Sequence, residues 1–152
     1  MIAHLAFEMG SSLALLGWLC LVVGVIMGSN KFSGWFLLFG GRFIPFLLSI
    51  LYVSLVVKFW GSAPNGNYAS LFGVGLLFES EGNLAAGWMH FLIFDLFIGR
   101  WMIDDVKQSK STKWQLIPCL PLTFLYGPAG LLLYFVFRVL DKHKSPLANA
   151  LG

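Results

Sequence analysis

The chain has 152 residues, of which 58% are hydrophobic and only 11% are charged. A soluble globular domain carries roughly 25% charged residues, so this composition excludes a water-soluble fold. The net charge is +3, but the basic residues stand at the ends of apolar segments, as in membrane proteins, and form no stripe for nucleic acid.

In chain order, four apolar segments predict four transmembrane helices, over about residues 5–28, 43–60, 84–104 and 116–139. Breakers rich in Gly, Ser, Asn and Pro separate them. The stretch 68–78 is about half the length of a crossing, so we expect it to be interfacial or re-entrant. The fold class is therefore all-α: an integral membrane bundle in which residues 1–144 form a single transmembrane domain and 145–152 a flexible tail. Cys20 and Cys119 lie in apolar runs without zinc-ligand spacing and are expected to be buried.

The third predicted helix carries His90, Asp95 and Arg100 before its final residue, Asp104. Asp95 lies near its centre, where an aspartate costs about 2.5 to 3.5 kcal/mol, so it needs a partner or a function. At about 100° per residue, His90 and Asp95 lie about 140° apart around the helix. Two stripes follow, one with Trp88 and Asp95 and the other with His90, Phe97 and Trp101.

Structural alternatives stay open for each of these residues. Arg100 could pair with Asp104 four residues later or reach a carboxylate on another helix, and its structural role would be that of a snorkelling, ion-paired helix end. Asp95 could make a structural hydrogen bond to the fourth helix, to Tyr126 or Thr123. His90 could be a packing residue, an acid or base, or a ligand.

The fourth predicted helix is interrupted by Gly127, Pro128, Ala129 and Gly130. Pro128 lacks a backbone donor and should free the carbonyl near Phe124, while the glycines permit close helix packing. Two acidic pairs flank the third helix at opposite ends, about 30 Å apart at helical rise, so we expect no shared metal site. Glu81, in the first pair, is a possible site residue.

These residues carry a resemblance to a known family. The chain resembles the neoxanthin-synthase-like, or abscisic-acid-deficient-4-like, family of small four-helix membrane proteins in three runs: Ser80-Glu81; Trp88-x-His90-x4-Asp95-Leu96-Phe97-x2-Arg100; and Gly127-Pro128-Ala129-Gly130. Plant members act in plastid membranes in the conversion of violaxanthin to neoxanthin. Because this chain shows no plant-type leader, we expect it in a bacterial cytoplasmic membrane.

The resemblance implies an isomerisation in which an epoxide opens to an alcohol while a proton leaves a neighbouring polyene carbon, giving an allene. No electrons are transferred, so no redox cofactor is implied. His90 and Asp95 are the expected acid and base, and Arg100 is expected to orient the substrate. Burial disfavours the charged form of each group, which suggests Asp95 as proton donor and His90 as acceptor. The aromatic residues expected to bind the apolar substrate are Trp88, Phe97, Trp101 and Tyr126.

Two alternatives to a carotenoid or isoprenoid isomerase remain. The chain could be a non-enzymatic membrane protein that binds carotenoid, quinone or lipid, or that supports a pigment-synthesis enzyme. It could also be a four-helix exporter that exchanges protons for cations at a membrane carboxylate. The expected partners are membrane lipid and an apolar substrate, and the sequence leaves the oligomeric state open.

Overall fold

The computed structural model describes residues 1–28, 30–109 and 113–144, and only the backbone of 142–144. All regular structure in these ranges is helical, as predicted. The flexible tail predicted for 145–152 lies outside the described residues. The chain divides into two compact units, Met1–Phe97 and Ile98–Gly152.

Within the described ranges, three helices are long and apolar enough to cross a membrane. Helix α1 spans Ile2–Ile26, and the second long helix, Lys31–Ser62, consists of α2 (Lys31–Leu38), a π-helical turn (Phe39–Phe43), α3 (Ile44–Phe59) and a final 3₁₀ turn. The third, named α5 here, spans Glu81–Gln108. They contain 25, 32 and 28 residues. At about 1.5 Å per residue, each exceeds the roughly 30 Å of a hydrocarbon core.

The second long helix begins at Lys31, earlier than the predicted start near residue 43. Asn30 caps it, because the Asn30 side chain accepts a hydrogen bond from the Ser33 amide at 2.7 Å. The π-helical turn precedes Pro45, which has no N–H to donate to the carbonyl four residues earlier. The chain adapts by bonding the Ile44 amide to the Phe39 carbonyl five residues back.

Small residues let α1 pack closely within the first unit. Gly10 lies under the Met89 side chain, and Gly17 faces both Leu96 and the carbonyl of Gly40. Side chains at these positions would displace their neighbours, so the glycines fix the approach of the helices.

A short helix, α4 (Leu71–Glu79), joins the second and third long helices. The Ser70 hydroxyl caps it by accepting a hydrogen bond from the Gly73 amide at 3.0 Å. Its apolar side chains face outward, with Leu71 90% and Phe72 77% exposed. It occupies the stretch where an interfacial or re-entrant piece was expected.

The predicted fourth helix over 116–139 is wrong as one continuous helix. The structure has two helices, α6 (Leu116–Tyr126) and α7 (Pro128–Lys144). The Gln115 amide donates a hydrogen bond to the Asp141 carboxylate, and the rings of Trp114 and Phe137 lie 4.9 Å apart. In one straight helix, residues 115 and 141 would lie about 39 Å apart, so α6 and α7 form an antiparallel hairpin.

The reversal takes place at Gly127. Its φ of 41° lies in the region that glycine adopts without a steric penalty, and its amide bonds the Thr123 carbonyl at 2.8 Å. Pro128 then begins α7, a position where its missing amide hydrogen costs nothing. Gly130 lies directly against Thr123, where a side chain would not fit. The four residues predicted as a kink therefore form the turn of the hairpin.

Candidate functional site

A cavity of about 730 Å³ opens in the unit Met1–Phe97. Its wall is formed by α3, α4, α5 and the turn that joins α3 to α4. This volume falls within the range of roughly 300 to 1,000 Å³ typical of sites for small organic ligands. Most of the wall is apolar or aromatic, and includes Val56, Trp60, Leu77, Phe78, Ala86 and Phe91.

A few polar side chains interrupt this apolar wall, namely Tyr52, Asn67, Tyr68, Asn83 and His90. The His90 imidazole lies among aromatic rings, with ring centroids 4.7 Å from Phe94 and 6.0 Å from Tyr52. It makes no hydrogen bond to any other residue that the structure describes. Both of its nitrogens are therefore available to a ligand in the cavity.

Glycines on α5 allow aromatic side chains of the neighbouring helices to pack directly against its backbone. The Phe59 ring lies against Gly82, and a Cβ atom at Gly87 would stand 2.7 Å from the Phe78 ring. Asn83, Gly87 and His90 follow one another at helical spacing, so one face of α5 lines the cavity.

Side-chain hydrogen bonds are made at the start of the turn between α3 and α4 and within it. The hydroxyl oxygens of Ser62 and Ser80 lie 2.5 Å apart, which joins the end of the second long helix to the start of the third. The Asn67 side chain accepts a hydrogen bond from the Ala69 amide at 3.0 Å. The turn that contributes to the cavity wall is therefore ordered by these side-chain hydrogen bonds.

Asp95 and Arg100 are not part of the cavity wall. Asp95 is half-buried on α5, and its carboxylate makes no hydrogen bond or ion pair within the described ranges. Arg100 donates from Nε to Asp104 at 2.8 Å, which is one of the two pairings that the sequence left open. The structure therefore does not bring His90 and Asp95 together at one site.

The four aromatic residues expected to bind substrate also lie outside the cavity wall. The Trp88 indole donates a hydrogen bond to a serine hydroxyl of α1 at 3.0 Å. The Trp101 ring packs edge-on against Tyr134 at 5.6 Å between centroids. The other two are largely exposed, Phe97 and Tyr126.

Glu81, the possible site residue, lies 3.4 Å from the His4 imidazole, and both side chains are mostly exposed. Such a surface pair contributes little to stability. Among the described residues, no group of three or more His, Cys, Asp or Glu side chains could hold a metal ion.

The second unit contains a polar cluster that the sequence analysis did not find. The Asp105 carboxylate accepts a hydrogen bond from the Tyr134 hydroxyl at 2.6 Å and forms an ion pair with Arg138 Nε at 2.9 Å. Tyr134 is fully buried. Tyr134 and Arg138 are four residues apart on α7, a spacing that places them on one face and could have indicated the cluster.

Residues 5–134 match the model of a family described as ABA DEFICIENT 4-like. The protein named ABA DEFICIENT 4, chloroplastic, from Arabidopsis thaliana is 29% identical over 110 residues, which cover 66% of this chain and 48% of that protein. The chain thus spans about half the length of this curated relative. No solved structure matches the chain.

Proposed function

Because the chain belongs to the ABA DEFICIENT 4-like family, we propose that it is a membrane-embedded isomerase of a carotenoid or a related isoprenoid. The observation that carries this proposal is the apolar cavity with His90 in its wall. A long apolar substrate needs a mostly apolar site with few polar groups, and an isomerase needs a group that moves a proton. The cavity combines both.

The reaction is the one that the family resemblance implies, in which an epoxide opens to an alcohol and a proton leaves the adjacent polyene. We propose that His90 accepts this proton. Its imidazole has no partner in the described part of the chain, so the nitrogens are free to approach a substrate C–H bond. Aromatic rings flank the imidazole, with the Phe94 and Phe91 centroids 4.7 and 6.1 Å from its own, and would contact an apolar substrate beside it.

Asp95 and Arg100 remain hypotheses for the same reaction. Asp95 would serve as the acid, and Arg100 would orient the substrate. Trp88, Phe97, Trp101 and Tyr126, each taken singly, would contact the apolar substrate. Asp95→Asn and Arg100→Lys belong in the same assay. A loss of conversion with the protein folded would support these roles, and full conversion would remove them.

We propose that residues 1–144 form one domain in the membrane. The three long helices would cross it, supported by their length and apolar composition. The α6–α7 hairpin would provide the fourth membrane segment without a fourth crossing, because the chain reverses at Gly127. Helix α4 would lie in the interface, since it is short and exposes Leu71 and Phe72. Lipid would cover these apolar surfaces.

The test is to express the protein in cells that contain violaxanthin or another carotenoid from a panel, and to separate the extracted pigments by chromatography. We expect a new isomeric pigment with the unaltered chain. His90→Gln should lower its yield by about 100-fold or more, the range of general acid–base contributions. His4→Gln is the matched control, because the His4 side chain is mostly exposed and is not among the residues that line the cavity.

The outcomes separate the isomerase from its alternative. Pigment that copurifies unchanged with the protein would favour a non-enzymatic carotenoid-binding protein. Equal yields from the unaltered chain and His90→Gln would contradict the role of His90. Neither conversion nor binding with any carotenoid of the panel would refute the proposed substrate class.

A further inference from the structure

Tyr52 is the titratable side chain that the structure brings next to His90. It stands on α3 and His90 on α5, both line the cavity, and their ring centroids are 6.0 Å apart with the planes tilted by 53°. The Tyr52 side chain is half-buried, and its hydroxyl makes no hydrogen bond to another described residue. Two serine hydroxyls on the same helix instead bond backbone carbonyls four residues earlier.

An unpaired hydroxyl on an apolar cavity wall suggests that a ligand completes its hydrogen bonding. A partly buried polar group costs free energy when it has no partner. A bound ether or alcohol oxygen would accept the hydrogen bond from the Tyr52 hydroxyl. Tyr68, the other tyrosine of the wall, is 77% exposed and needs no such partner.

We propose that Tyr52 donates a proton to the substrate oxygen while His90 accepts one from carbon, an inference that rests on the proposed isomerase function. The C–H electron pair of the polyene carbon forms the new C=C bond of the allene. The bond from the adjacent epoxide carbon to oxygen breaks, and the oxygen takes the Tyr52 proton. The proton on His90 then returns to the Tyr52 oxygen. One proton has moved from carbon to oxygen, and nothing is oxidised or reduced.

A phenol suits this position for a physical reason. A phenol is neutral in water at neutral pH, so it can donate a hydrogen bond in an apolar cavity without the free-energy cost of burying a charge. The negative charge exists only as the epoxide opens, when the imidazolium of His90 forms nearby. Asp95 is five residues from His90 on the same helix and is not among the residues of the cavity wall, which favours Tyr52 over Asp95 as the acid.

The test compares Tyr52→Phe with Tyr68→Phe in the carotenoid assay, with pigment conversion and pigment retained on the purified protein measured for each. Phenylalanine keeps the ring against His90 and removes only the hydroxyl. We expect Tyr52→Phe to lower conversion by about 100-fold or more while pigment retention stays within about twofold. Tyr68→Phe should lower conversion by less than about tenfold, because the exposed Tyr68 hydroxyl is expected to play no part in proton transfer.

A second measurement separates proton donation from packing. Replacement of Tyr52 by 3,5-difluorotyrosine makes the phenol more acidic and should move the alkaline limit of the conversion rate to lower pH. An unchanged pH profile would overturn the proposal, as would conversion by Tyr52→Phe close to that of the unaltered chain. Conversion lost in Asp95→Asn but kept in Tyr52→Phe would also overturn it. If the unaltered chain converts no pigment, both the proposed isomerase function and the proposed role of Tyr52 are refuted.

Discussion

The hairpin of α6 and α7 can be tested by crosslinking two positions that are distant in sequence. The rings of Trp114 and Phe137 lie 4.9 Å apart. If residues 114 to 137 formed one straight helix, as their composition suggests, these positions would be separated by about 35 Å. Cysteines at both positions should therefore be joined by a short bis-maleimide only if the chain reverses direction between them.

The assay uses a background in which Cys20 and Cys119 are replaced by alanine, because both native thiols are free. Trp114→Cys with Phe137→Cys is treated in membranes, and the joined peptides are identified by mass spectrometry after proteolysis. The matched control is Trp114→Cys with Leu125→Cys. Trp114 lies in the 3₁₀ turn just before α6 and Leu125 near the end of α6, so the two positions are about 16 Å apart along the helix axis and should not be joined.

We expect a crosslink in the first pair whose yield does not change with protein concentration, since both cysteines are in one chain. A first pair that is no more reactive than the control would refute the antiparallel arrangement and restore a single fourth helix. A yield that falls on dilution would mean that the two cysteines come from different chains.

Two further substitutions test the packing, each by unfolding in detergent. Tyr134→Phe removes the hydroxyl that is hydrogen-bonded to Asp105 at 2.6 Å. It should lower the free energy of unfolding by about 1.5 to 3 kcal/mol, the range for hydrogen bonds to charged groups. Equal stability of Tyr134→Phe and the exposed control Tyr126→Phe would contradict this expectation. Gly40→Ala places a methyl group against the α1 backbone and should cost about 1 to 3 kcal/mol. A Cβ atom at Gly34 would have no neighbour within 4 Å, so Gly34→Ala should be neutral or stabilising by up to about 1 kcal/mol. A similar loss of stability in Gly40→Ala and Gly34→Ala would show that the close contact at Gly40 is not the cause.

The sequence predicts the three long helices because their hydropathy and length are local properties. It did not predict the hairpin, since the apolar residues of 116–139 suit one helix or two antiparallel ones equally well. Gly127 followed by Pro128 is the local signal for the reversal, but the same pair also occurs at kinks. What decides between them is the contact of Gln115 with Asp141, which depends on tertiary packing.

The candidate site was predicted only in part for the same reason. His90 stands out in the sequence as an imidazole in an apolar segment, and it lines the cavity. Tyr52 does not stand out, because a tyrosine in a membrane helix is ordinary, and its proximity to His90 requires α3 and α5 to pack together. The joint role of His90 and Asp95 was implied by the family resemblance, whereas the helix geometry already placed them about 140° apart, and only His90 lines the cavity.

The most direct test of the isomerase proposal is a time course with purified protein in lipid nanodiscs that contain violaxanthin in excess. We predict that each protein molecule converts more than one pigment molecule into an allenic isomer of unchanged mass without an added redox cofactor, and that His90→Gln slows this conversion. Violaxanthin that stays unconverted throughout, while bound to folded protein, would contradict the proposed isomerase activity.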